Sequence, residues 1–105
     1  MGIDVAIVGG QNEKIQHLFD TKHHLTAMAL GPWQQMMASH CVRFIDPWGD
    51  ALFNQAQLPE LLAELEQSRS LVTDEDVIGH LEKVCGLVRE AQREGVHVYV
   101  KFIGE

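Results

Sequence analysis

At 105 residues, 46% hydrophobic and 22% charged, the chain has the length of one domain, residues 1–105, and enough apolar side chains for a packed core, which excludes a disordered or low-complexity protein. A formal charge of −7 excludes the basic footprint by which nucleic acids and anionic membranes are held, so neither is an expected partner. The opening run MGIDVAIVGG carries Asp4 where a signal peptide needs a basic start, and Ala6 where a myristoylation motif needs Ser or Thr, so a cytoplasmic protein without a lipid anchor is expected.

Ile3 to Val8 is β-branched with period-two alternation, which predicts a strand. Gly9 and Gly10, followed by Gln11 and Asn12, supply turn residues, and Glu13 to Phe19 is expected to return as the second strand of a hairpin. Asp20 or Thr21 is placed to cap a helix that runs to Leu30 and stops at Gly31-Pro32. Trp33 to Ser39 predicts another helical turn, and Cys41 to Ile45 a strand. Asp46-Pro47-Trp48-Gly49 has the residues a type I turn prefers, so Ala51 to Asn54 is expected to complete a second hairpin. Pro59 opens a helix whose apolar stripe is Leu61, Leu62 and Leu65, fading near Ser68 to Ser70. Thr73 is expected to cap the longest helix, with Asp74, Glu75 and Asp76 in its first turn. That helix carries Ile78, Leu81, Val84, Cys85 and Val88 on one stripe and stops at Gly95. Val96 to Ile103 alternates as a half-buried closing strand. Together these predict an α+β fold, a single mainly antiparallel sheet of about five strands covered on one face by helices. No internal repeat or linker divides it.

The negative charge is unevenly placed. From Asp46 to Asp76 the acids are Asp46, Asp50, Glu60, Glu64, Glu66, Asp74, Glu75 and Asp76, against the single base Arg69, and the rest of the chain is balanced. If these carboxylates share one solvated surface, a cationic protein partner is favoured. Helix dipoles and solubility account for the same acids without a partner.

Catalytic patterns are absent. Gly9-Gly10 lacks the spacing of a dinucleotide fingerprint and reads as a turn; no nucleophile elbow, paired-histidine helix or CxxC occurs. Six histidines invite a metal reading, but His23-His24 and His40-Cys41 are adjacent pairs that point apart, leaving only a distant assembly of His17, His23 and His40. Asp76 and His80 are spaced as a surface helix pair. Cys41 and Cys85 sit in apolar runs and read as reduced core thiols rather than nucleophiles. No catalytic residue, metal site or cofactor is therefore expected.

The most individual stretch is DPWGDALFNQAQLPELLAELE, Asp46 to Glu66, which sets an aromatic anchor among polar donors and carboxylates. The candidate partner-binding residues are Trp48, Asp50, Asn54, Gln57, Glu60 and Glu64. The competing reading gives Trp48 a place capping the core, with Asn54 and Gln57 satisfying local backbone groups, and Trp33 is weighed in the same way.

On three motifs, Asp46 to Asp50 (DPWGD), Phe53 to Gln57 (FNQAQ) and Lys101 to Glu105 (KFIGE), the second half of the chain resembles a group of small bacterial proteins. In size and acidity it is also similar to immunity proteins that neutralise basic bacterial toxins, a likeness that implies a cationic protein partner and no enzymatic activity. The expected function is an acidic protein-binding domain, an immunity or regulatory protein for a basic partner. The alternatives are a homo-oligomeric interaction domain, pairing through Tyr99, Ile103 or an exposed strand, and a small metal-dependent enzyme using the histidines.

Overall fold

The computed structural model describes residues 2–11 and 13–104. Met1, Asn12 of the expected first turn and Glu105 of the terminal motif lie outside the described residues. Four strands, β1 (Asp4–Val8), β2 (Lys14–Leu18), β3 (Asp50–Phe53) and β4 (Tyr99–Ile103), form one antiparallel sheet in the order β2-β1-β4-β3. Paired residues share a face. The register therefore puts Val5 and Ile7, Phe102 and Val100, and Ala51 and Phe53 on the inner face. Asp4, Ala6, His17, Lys101, Leu52, Tyr99 and Ile103 lie on the outer one.

Helices α1 (His24–Leu30), the single turn α2 (Pro32–Gln35), α3 (Leu58–Ser68) and α4 (Glu75–Glu94) accompany the sheet, with α4 against β1, α1 and α3. One apolar cluster fills the space between: Ile3, Val5, Ile7, Val100 and Phe102 from the sheet, Leu61 and Leu65 from α3, and Leu81, Val84, Cys85 and Val88 from α4. The expected helical stripe of α4 is thus the buried one. Trp33 is fully enclosed, so of the two tryptophans it is Trp33 that belongs to the core.

The sheet has four strands rather than about five because Cys41 to Ile45 is not a strand. Glu64 reaches from α3 and accepts three consecutive backbone N–H groups, from His40 at 2.7 Å, Cys41 at 2.9 Å and Val42 at 3.0 Å. Successive N–H groups converge on one anion only in a turn-like backbone, whereas a strand points them alternately outward. Val42 to Phe44 accordingly form a 3-10 turn, and the expected hairpin with Ala51 to Asn54 is not formed. β3 pairs instead with β4, far along the chain.

Smaller corrections have similar causes. α4 is capped by Asp74, not Thr73, through Asp76 N–H. α1 begins at His24 after a left-handed His23, with Asp20 caging its first amides from outside the helix. β4 starts only at Tyr99, because a turn closes from Val98 N–H to Gly95 O, and Gly95 itself has φ 111°. The DPWGD and KFIGE motifs meet in space: Gly104 N–H donates to Gly49 O at 3.0 Å, and a Cβ on Gly104 would run into the backbone of Asp46, Pro47 and Gly49. That glycine is required by close approach.

Candidate functional site

The turn after the 3-10 segment presents Trp48 outward. Asp46 Oδ1 accepts its N–H at 2.8 Å, an Asx-type closure of the turn, and the residue is 71% exposed. Leu30 at the end of α1 and Phe44 in the 3-10 turn, each 59% exposed, stand with Trp48 around a groove of about 390 Å³. Arg43 lies over the Phe44 ring at 4.7 Å and donates to Met37 O at 3.0 Å, which fixes both side chains. Arg43, Asp46 and Gln34 are the polar side chains beside its apolar walls.

The other expected binding residues do not join it as one face. Asn54 and Gln57 bond reciprocally, Asn54 N–H to Gln57 Oε1 at 2.9 Å and Gln57 N–H to Asn54 Oδ1 at 3.1 Å, and so close the start of α3. This is the local-structure reading. Gln55 ties the same loop to Ala91 O and Val98 O. Glu64, expected on the surface, is 8% exposed and occupied by the three amides described above. Glu60 is exposed and pairs with His40 Nδ1 at 2.9 Å, and Asp50 pairs with Lys101 at 3.6 Å.

The remaining acids follow suit. Glu66 pairs with Arg89 at 2.6 Å, Asp46 and Asp74 cap their own turns, and Glu75 and Asp76 stand beside a different cavity lined also by Lys22 and Lys83. Bases from outside the acidic third, Lys101 and Arg89, neutralise part of it, and Glu64 is internal. The sequence imbalance therefore does not become one uncompensated acidic surface.

That second cavity, also about 390 Å³, holds the unforeseen cluster. Asp20, its side chain 1% exposed, accepts Ile3 N–H at 3.0 Å and Leu25 N–H at 3.1 Å on Oδ2, and His24 N–H at 2.7 Å on Oδ1. Oδ1 also lies 3.7 Å from His80 Nε2. His80 meets His24 edge to face with ring centroids 5.4 Å apart, and both rings line the cavity. Desolvation lowers the His80 pKa below 6.5, against the opposing pull of Asp20. Among the described residues, the buried Nε2 of His80 and Nδ1 of His24 have no hydrogen-bond partner. His80 thus faces Asp20, a correction to its expected surface pairing with Asp76. The imagined assembly of His17, His23 and His40 is not formed: His17 pairs with Asp4 at 3.1 Å, and His40 with Glu60. The long separation of Asp20 and His80 in sequence hid their meeting.

A third cluster brings Cys41 Sγ and the carboxylates of Glu60 and Glu64 within 4.8 Å of one another. Its donors are already engaged. Glu64 binds amides and Glu60 binds His40. Burial, reinforced by the two carboxylates, pushes the Cys41 thiol up to about 11. Cys85 is raised likewise by burial, so both cysteines are protonated and buried. Among the described residues, no helix is long and apolar enough to cross a membrane. Comparison of the chain with protein-family models, with curated proteins and with solved structures finds no match.

Proposed function

We propose that this chain is a protein-binding domain whose contact surface is the Trp48 groove, taking an apolar anchor from an extended or helical segment of a partner that carries a basic residue beside that anchor. The observation that supports it is the convergence of Leu30, Phe44 and Trp48, each more than half exposed, on one groove with Arg43 stacked at its edge. Large exposed aromatics with a neighbouring Arg make up the centre of binding hot spots, and isolated exposed residues do not need such an explanation. Asp46 is the acceptor for the partner's base. In this reading the anchor supplies affinity, while the paired carboxylates Asp50 and Glu60 contribute little.

The test is selection of peptides from a random displayed library on the wild-type protein. Enriched peptides should share an apolar anchor next to Lys or Arg, and should lose about thirtyfold in affinity for Trp48→Ala, the cost of roughly 2 kcal/mol expected of a hot-spot tryptophan. Peptides that bind Trp48→Ala as well as wild type would place the contact elsewhere.

The outer sheet face favours a second reading, self-association. Leu52 is about half exposed there, and Tyr99 and Ile103 are half-buried on the neighbouring strand. Sedimentation across a concentration range decides: a dimer abolished by Leu52→Lys supports it, and a monomer at all concentrations dismisses it.

A further inference from the structure

We infer that the cavity holding Asp20, His24 and His80 is a binding site for a divalent transition ion of the zinc class. Three observations carry this. Buried polar nitrogens are almost always hydrogen-bonded, and an exception calls for a reason such as a missing ion. Among the described residues three such nitrogens occur, Trp33 Nε1 in the core and His24 Nδ1 and His80 Nε2, the last two on residues that line one cavity. Imidazole nitrogen and carboxylate oxygen are the donors that suit zinc, nickel and cobalt. His80 Nε2 and Asp20 Oδ1 are 3.7 Å apart, close to the roughly 3.4 Å that separates two ligands on a tetrahedral ion.

Asp20 is pre-organised for the task. Three backbone amides fix its carboxylate, and Oδ1, the oxygen facing His80, accepts only one of them. The broad torsion of each imidazole lets His24 swing onto an ion shared by the other two. Glu75 and Asp76 add negative potential at the mouth, with Lys22 and Lys83 opposing it. The Cys41 cluster is the competitor: its donor atoms already lie within 4.8 Å of one another, whereas His24 has to turn from its edge contact with His80, but an ion at Cys41 must displace backbone amides from Glu64 and His40 from Glu60, and the two unpartnered nitrogens have no hydrogen bond to break. This site shares no lining residue with the Trp48 groove, so neither reading depends on the other.

The experiment uses the chelator-stripped full chain, titrated with Zn²⁺ by calorimetry and with Co²⁺ by absorbance. The expected result is one equivalent bound, a rise in melting temperature on adding Zn²⁺, and a Co²⁺ spectrum without a thiolate charge-transfer band. His80→Gln and His24→Gln should each lower affinity tenfold or more, while Cys41→Ser leaves it unchanged; melting of each ion-free variant establishes that it is folded. Failure of Zn²⁺ to bind at micromolar concentration overturns the inference, as does binding that survives both histidine substitutions, or a thiolate band that disappears in Cys41→Ser.

Discussion

Replacing Glu64 by Ala removes the one acceptor shared by the amides of His40, Cys41 and Val42. His40 is exposed, so its N–H rehydrates, but Cys41 and Val42 are buried and their donors are left without partners. Each orphaned buried donor costs about 1–3 kcal/mol, which for two gives a loss of about 2–6 kcal/mol, a large part of the roughly 5–15 kcal/mol that holds a domain of this size together. Glu64→Gln keeps one oxygen for Cys41 and Val42 but turns an amide donor toward His40, so about 1–3 kcal/mol is expected. Urea unfolding followed by circular dichroism measures both, with Glu60→Ala as the control one helical turn away. That exposed residue should cost under about 0.5 kcal/mol. Because the same carboxylate positions the 3-10 turn bearing Arg43 and Phe44, Glu64→Gln should also weaken peptide binding at the Trp48 groove. A Glu64→Ala variant within about 0.5 kcal/mol of wild type would refute the internal-cap assignment.

Gly104→Ala forces a methyl group into the backbone of the Asp46–Gly49 turn, so a loss of about 2–4 kcal/mol is expected in thermal melts, and an unchanged melting temperature contradicts the packing of the two motifs. Cys41, with its thiol raised to about 11, should react with iodoacetamide near neutral pH at least roughly a hundredfold more slowly in the native protein than in urea; equal rates would show an accessible thiolate. The pKa of His80 is lowered on folding, so on acidification the unfolded chain takes up this proton first. The stabilisation from keeping His80 neutral is complete above about pH 6.5 and is lost as pH falls through the lower folded value. His80→Gln should flatten the decline in unfolding free energy over that window, and an unaltered slope assigns the decline to other groups.

The elements legible in the sequence were those whose local pattern and final burial agree. β1, α4 and β4 each carry an apolar period that the core uses directly, and their existence follows from it. Cys41 to Ile45 carries a strand-like pattern too, but a carboxylate from α3 captured its amides, a tertiary contact that no local window contains. A signal for Glu64 was present: Leu61, Glu64, Leu65 and Ser68 follow the i, i+3, i+4, i+7 spacing of a buried face, and all four are buried. Reading Glu64 by its charge rather than its position put it on the surface. Trp48 was not decided by its sequence: the turn residues place it in a tight turn, but whether the indole caps the core or faces outward depends on the packing around the turn, and it is 71% exposed. The charge asymmetry misled because linear counting cannot see Lys101 and Arg89 folding back onto Asp50 and Glu66. The histidine cavity had no local signature, since His80 reaches Asp20 and His24 only through the packing of α4 against α1.

Whether apolar contact or charge governs recognition is settled by measuring the affinity of one library-selected peptide for wild type, Trp48→Ala and the double charge reversal Asp50→Lys/Glu60→Lys. Exposed Trp48 can be truncated without loss of fold, so a drop of about thirtyfold is expected for Trp48→Ala at unchanged melting temperature, and less than about threefold for the double reversal. Binding that is abolished by the charge reversal and indifferent to Trp48 would contradict it.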